Sequence, residues 1–257
     1  MLGFNGGLLG RRRKQEPTTP GMWFPNERAV ILSPSFDPYW DSVSLLLPMN
    51  GSNGSTTFTD SSSNALTVTA NGNAQISTAQ SKFGGASGLF DGTGDFLTIS
   101  NNGAFSFGVA DFTIEMWIRA SSLSNAPFLF SKVSESDPPN GWFLEISSTL
   151  LYFGYSTESS AFFATFDVTI STNQWTHIAV TRATSTLGAY VDGVGSTKTL
   201  SGAQSDRDNS NQVFIGRYRN ANTAFDFDGY IDDLRITKGV ARYTANFTPP
   251  TAAFPNE

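Results

Sequence analysis

Three aspartates stand where oxygen ligands for a hard cation are easily gathered. Asp91 and Asp95 lie four residues apart across Gly92-Thr-Gly94, and Asp232 is the first of two adjacent carboxylates in Tyr230-Ile-Asp-Asp-Leu-Arg-Ile236. Calcium takes carboxylate and backbone carbonyl oxygens from loops, so Asp91, Asp95 and Asp232 are the candidate metal ligands and calcium is the candidate cofactor. Each has a plainer reading. Asp91 and Asp95 suit Asx-type turns, and Asp232, if it points inward, needs backbone N–H donors because an unpaired buried carboxylate costs several kcal/mol. Catalytic groups are sparse. The chain has no cysteine and one histidine, His177, so no nucleophile–base arrangement is evident. Glycoside hydrolysis needs two carboxyls about 5 to 9.5 Å apart across a cleft, whereas Glu115 and Glu145 stand alone in their segments. There is no glycine-rich phosphate loop opening a helix. A non-enzyme is expected.

The elements around these residues read as strands. Asp111-Phe-Thr-Ile-Glu-Met-Trp-Ile-Arg119 alternates, with Phe112, Ile114, Met116 and Ile118 inward and Thr113, Glu115, Trp117 and Arg119 on the other face. The same period in 230–237 places Tyr230, Asp232, Leu234 and Ile236 together, opposite Ile231, Asp233, Arg235 and Thr237. Val43–Met49 is a short buried run. Leu66-Thr-Val-Thr69 suits an edge strand, and further strands are expected at 128–132, 142–147, 150–155, 162–170, 175–182, 187–193 and 213–217. Asp192-Gly193 between alternating runs is a two-residue hairpin signal. His177 shares parity with Ala179 and is expected to pack or hydrogen-bond.

Composition agrees with an all-β body. Charged residues are 15%, aromatics 13% and glycines number 24 in 257 residues, which favours strands and turns over helices. Net charge is −6, unevenly spread. Residues 1–40 hold five Lys/Arg against three Asp/Glu, and the remainder holds eleven against nineteen. An acidic body argues against nucleic acid as a partner. No run of apolar residues is long enough to span a membrane. Residues 1–40 show neither period but carry Arg11, Arg12, Arg13 and Lys14, then prolines interleaved with Trp23, Phe24 and Trp40. These are the candidate anchoring residues of an extended N-terminal arm (1–40), followed by a sandwich (41–257).

Three motifs carry a family resemblance. Phe227-Asp-Gly-Tyr-Ile-Asp-Asp-Leu-Arg-Ile236, Phe90-Asp-Gly-Thr-Gly-Asp-Phe-Leu97 and Trp175-Thr-His-Ile-Ala-Val-Thr181 with Tyr190-Val-Asp-Gly193 resemble the laminin-G-like, concanavalin A-like lectin jelly roll. The resemblance implies that the last strand pairs with the first, near Val43–Met49, and that a sugar lies against a sheet face or loop aromatics. Trp117, Trp142 and Tyr218 are the candidate glycan platforms, with burial of Trp117 under a loop as the competing reading. The arm's Gly3-Phe-Asn-Gly-Gly-Leu-Leu-Gly10 and Gly21-Met-Trp-Phe-Pro-Asn-Glu27 resemble the N-termini of virion structural proteins of tailed, particularly marine, phages. This implies a bacteriophage protein at the virion surface, arm-anchored to a capsid, portal or tail component. It would be homo-oligomeric in its assembly and would display the sandwich for decoration or adhesion to host cell-surface glycan. The alternative is a free carbohydrate-binding lectin module of a microbial surface protein. A polysaccharide-active enzyme comes third.

Overall fold

A computed structural model describes residues 36–134, 141–157, 160–200, 210–219 and 224–257. Fifteen strands in two antiparallel sheets make up this body. One sheet holds β1 (Val43–Leu47), β3 (Gln75–Ser77), β4 (Ser87–Asp91), β6 (Phe112–Ser122), β11 (Thr176–Ala183), β12 (Thr186–Val191), β13 (Val194–Thr199) and β15 (Asp228–Lys238). The other holds β2 (Val68–Asn71), β5 (Phe96–Ile99), β7 (Phe128–Val133), β8 (Gly141–Ile146), β9 (Leu150–Thr157), β10 (Ser160–Asp167) and β14 (Val213–Ile215). Their orders are β13-β12-β11-β6-β15-β4-β3, with β1 also beside β15, and β10-β9-β8-β7-β14-β5-β2. Among the described residues the only helical pieces are two three-residue 3₁₀ turns. No helix there is long and apolar enough to cross a membrane.

The core lies between the sheets, where alternation predicts it. Phe112, Ile114, Met116 and Ile118 of β6 are buried against Leu144, Phe153 and Phe130 from the facing sheet. Asp192 and Gly193 take φ of 48° and 76°, the left-handed pair that a two-residue hairpin between β12 and β13 demands. The closing strand pairs with the first as expected, with Leu45 opposite Ile236 and Leu47 opposite Leu234.

One expectation fails within β15. Ile231 faces Ile118 and Asp232 faces Trp117, yet Arg235 faces Glu115. Residues 233 and 234 therefore share the single partner position of Met116, which is a β-bulge, and Asp233 sits at φ 49°. The bulge lies where the other edge of β15 changes neighbour, from β4 (Ile231 opposite Gly88) to β1 (Leu234 opposite Leu47). It resets the alternation. Ile231, Leu234 and Ile236 all enter the core, and Asp232 joins Arg235 on the outer face rather than facing the core with Leu234.

That outer face is covered by the C-terminal segment and by Asp37 ahead of β1. The C-terminal strap, residues 239–257, is tied down strand by strand: Thr113 Oγ1 donates to Val240 O, Thr181 Oγ1 to Tyr243 O, and Phe247 N to Gly193 O. Phe254 N donates to Asp233 Oδ2 at 2.8 Å, and the Phe254 ring covers the Arg235 guanidinium at 3.7 Å. Asp37 N donates to Glu257 O at 2.8 Å. Beneath the strap, Arg235 grips Glu115 (2.7 Å) and Asp37 (2.9 Å), Arg242 grips Asp37 (2.7 Å), and Tyr243 Oη donates to Glu115 (2.8 Å). Trp40, assigned to the arm as an anchor, instead packs on Val43, Leu46 and Phe254. Within the described residues, Asp37 and Trp40 already contact the sandwich. Arg11, Arg12, Arg13, Lys14, Trp23 and Phe24 lie outside the described residues.

The strap sets opposing pH dependences. Burial alone would raise the Glu115 carboxyl, but the Arg235 charge, with His177 and Arg242, outweighs it and holds the group at about 2. Its stabilisation is present above the ordinary carboxylate value and lost as pH falls toward 2. Burial pushes Asp232 up to about 6, and it pushes Asp233, helped by the Asp232 charge, up to about 7. Stability from these two is full below the ordinary aspartate value and is lost as pH rises through 6 and 7. Asparagine tolerates the left-handed backbone and can still accept from Phe254 N. Asp233→Asn is therefore expected to gain on the order of 1–3 kcal/mol at pH 8 and almost nothing at pH 4. Denaturant titrations at both pH values check this, and an equal effect at both would refute it.

Candidate functional site

The three candidate metal ligands do not converge. Asp95 is buried and both its oxygens are taken: Oδ1 accepts from Asn73 N and Oδ2 from Asp91 N at 3.0 Å. Asp91 is exposed and accepts from Thr93 N at 2.8 Å, as an Asx turn does. Asp232 is elsewhere on the body, its Oδ2 accepting from Lys82 N (2.7 Å) and Phe83 N (3.0 Å). This is the backbone clamp of the plainer reading. Near Asp91 a rim pocket of about 180 Å³ is lined by Thr93, Ser122, Ser124, Asn125, Asp226 and Asp228. Asp226 there is already bound by the Arg217 fork at 2.7 and 2.6 Å and by Gly94 N. Among the described residues no three His, Cys, Asp or Glu side chains are arranged to hold a metal ion, and Asp91, Asp95 and Asp232 do not share one site.

Two of the three candidate sugar platforms are inside the protein. Trp142 faces the core, 1% exposed, stacked on Phe130 at 4.9 Å and 7°, with Nε1 donating to Phe105 O. Its parity with Leu144 and Ile146 carries the inward period, so no ring face is left for a ligand. Trp117 is 4% exposed on the sealed face, packed by Phe83 and His177 and capped by Lys82 Nζ 3.7 Å from its ring. His177 is fully buried there, its Nε2 3.5 Å from Glu115 Oε2. That glutamate is charge-paired with Arg235 and out of reach of solvent.

Tyr218 survives, on the outer face of the seven-stranded sheet. It is half-buried against Phe128 (4.4 Å between ring centres) and edge-on to Phe143 (5.7 Å). Ser131 Oγ donates to the carbonyls of Arg217 and Tyr218, and Phe128 N donates to Phe225 O, which pins this segment onto β7. Beside it Phe128, Glu145, Tyr152 and Thr165 are successive cross-strand partners on β7, β8, β9 and β10. Glu145, Tyr152 and Thr165 are half-buried, and among the described residues no strap crosses above them. Burial raises the Glu145 carboxyl, and among the described residues it has neither a hydrogen-bond nor an ion-pair partner. Sequence reasoning set Glu145 aside as an isolated acid and passed over Tyr152. Their outward parity in β8 and β9 was a usable signal, but it could not say which sheet face would be covered.

Gly154 makes the aromatic part of this face possible. Phe143 lies across it, and a Cβ there would meet the ring at 2.3 Å. Gly154→Ala is expected to displace Phe143 and loosen Phe128 and Tyr218, at about 1–3 kcal/mol. A melting curve together with near-ultraviolet dichroism of the aromatic cluster reads both effects. An unchanged spectrum with unchanged stability would contradict the packing.

Comparisons with known proteins place this geometry. No curated protein matches the chain. Solved structures of the same fold include the binding domain of Paraclostridial Mosquitocidal Protein 1 (18% identity, TM-score 0.61, 79% of this chain and 50% of that one). The botulinum neurotoxin serotype G binding domain is also similar (15%, 0.58, 77% and 48%). A third is the type C neurotoxin, described as dependent for cell entry on two ganglioside molecules (21%, 0.57, 79% and 49%). The chain thus spans about half the length of these structures, and at such identities they speak for the fold. The sequence itself matches the laminin G pattern of the concanavalin A-like lectin/glucanases over residues 91–242, from the rim turn at Asp91 through the bulged strand to Arg242, and the chain belongs to that superfamily.

Proposed function

We propose that this protein is a lectin-like carbohydrate-binding module whose ligand lies on the outer face of the seven-stranded sheet, against Glu145, Tyr152 and Tyr218. The observation that carries the reading is the contrast between the two outer faces. On the eight-stranded sheet Glu115, Arg235 and His177 are buried beneath the strap, whereas Glu145 and Tyr152 are partly open and unsealed. Sugar recognition uses such a surface, with ring faces for the apolar side of a pyranose and fixed polar groups for its hydroxyls. The family supports this, as do the matched structures, which are binding domains. They also support a binding rather than a catalytic role, since the one fully buried glutamate is locked to Arg235 and Tyr243.

Of the three readings the sequence offered, the free carbohydrate-binding module is the one these likenesses support. The arm-anchored virion protein rests on residues 1–35, outside the described structure. It remains the proposal for how such a module is displayed on a particle, with host-surface glycan as partner.

A shallow sheet face gives weak single-site binding, raised about 10²–10⁴-fold when many copies act together. A multimerised form is expected to bind polysaccharide-bearing cells, and Tyr152→Ala with Glu145→Ala to lose at least roughly tenfold of that binding while melting within a few degrees of wild type. Multimers of the intact protein that ignore every cell-surface polysaccharide would sink the proposal. Deleting residues 1–32 tests display separately, because the module alone should keep its sugar while a virion protein loses its place in the particle.

A further inference from the structure

The charge of the open face bears on which sugars it takes. Between Lys132 and Arg182 the sequence contains no lysine or arginine, but it contains Glu135, Asp137, Glu145, Glu158 and Asp167. That span supplies β8, β9 and β10, one whole flank of the seven-stranded sheet. Glu145 sits in the middle of the flank, between Phe128 and Tyr152 in the cross-strand row, and Asp167 is exposed at the end of β10. Among the described residues, Arg219 and Lys198 approach from outside that span and both make contacts there. Arg219 donates to Ser134 O and lies beside the Tyr218 ring (5.2 Å), and Lys198 Nζ lies over the Phe166 ring (5.6 Å).

We infer that this face selects sugars bearing a protonated amine, of the 2-amino-2-deoxyhexose class, and rejects uronates and sialylated glycans, with Glu145 as the selecting group. The inference rests on the carbohydrate-binding reading and adds the ligand's charge. A half-buried carboxylate with no internal cation is poorly compensated, and burial has already raised its proton affinity. An ammonium group brought against it gains a charge-assisted hydrogen bond, which a hydroxyl supplies only in part and an acidic sugar replaces with repulsion. Tyr152 and Tyr218 flank the carboxylate with apolar edges that a pyranose covers and a bare polycation does not.

The test uses the full chain and ligands matched in length: glucosamine oligomers, their N-acetylated counterparts, polygalacturonate, and a lysine oligomer, at low and high salt near neutral pH. The amine form is expected to bind roughly tenfold or more tightly than the acetylated form, the factor of one hydrogen bond to a charged group. Glu145→Gln should bring that ratio to about one without lowering the melting temperature. Polygalacturonate should not bind, and the lysine oligomer should be much the weaker cation. Equal affinities for amine and acetylated sugar, a ratio that survives Glu145→Gln, or a lysine oligomer as tight as the amino sugar each overturn the inference. If acetylated or acidic sugars bind well, the carbohydrate reading stands and this inference alone falls. If no sugar of any charge binds, both fall.

Discussion

The pairing of Arg235 with Glu115 is the contact on which the rest of the eight-stranded face depends. Both side chains are nearly or fully out of solvent, and taking two charges out of water costs more than their attraction returns unless every remaining donor and acceptor is met. The fold meets them. Glu115 also accepts from Tyr243, Arg235 also reaches Asp37, and Asp37 receives the Arg242 fork. Two of the partners, Arg242 and Tyr243, come from the strap and one, Asp37, from the segment ahead of β1. A charge placed on the middle strand of the sheet therefore requires both ends of the body to fold down over it. This kind of buried pair specifies an arrangement more than it stabilises one.

The bulge at Asp232 and Asp233 makes that arrangement possible. Were the same residues in unbroken alternation, Arg235 would share the core-facing parity of Ile231, and a guanidinium would enter the apolar space between the sheets. With it, the strand delivers Ile231, Leu234 and Ile236 inward and Asp232 and Arg235 outward. The two acids at the bulge each use an oxygen to hold a crossing segment, Asp232 the turn at Lys82 and Phe83, and Asp233 the strap at Phe254. Their raised proton affinities are the cost of placing carboxylates under a lid.

The two outer faces therefore differ in kind. One is spent on holding the chain's ends, and its tryptophan, histidine and glutamate serve packing and charge balance. The other has its aromatic residues drawn to one side, where Phe128, Phe143 and Tyr218 gather under a segment pinned by Ser131, and leaves Glu145 and Tyr152 partly open.

The sequence by itself determined the fold class, the hairpin at Asp192-Gly193 and the inward set of β6, while the pairing of the first and last strands came only from the family resemblance. The first three follow from a period of two and from turn chemistry, which are local. The jelly-roll family was likewise legible in short motifs that lie mostly within single strands and turns. Tertiary structure alone decided which tryptophans are available, because Trp117 and Trp142 are hidden by groups far along the chain, Phe83 and Phe105 among them. It decided that Asp91, Asp95 and Asp232 do not share a site, since the backbone amides that satisfy Asp95 and Asp232 belong to other turns. It decided the parity of β15, because a bulge is set by where β4 ends and β1 begins on the neighbouring edge. It also decided that Glu145, unremarkable in sequence, is left partly open while Glu115 is buried: both alternate outward in their strands, and the path of the C-terminal strap across one sheet separates them.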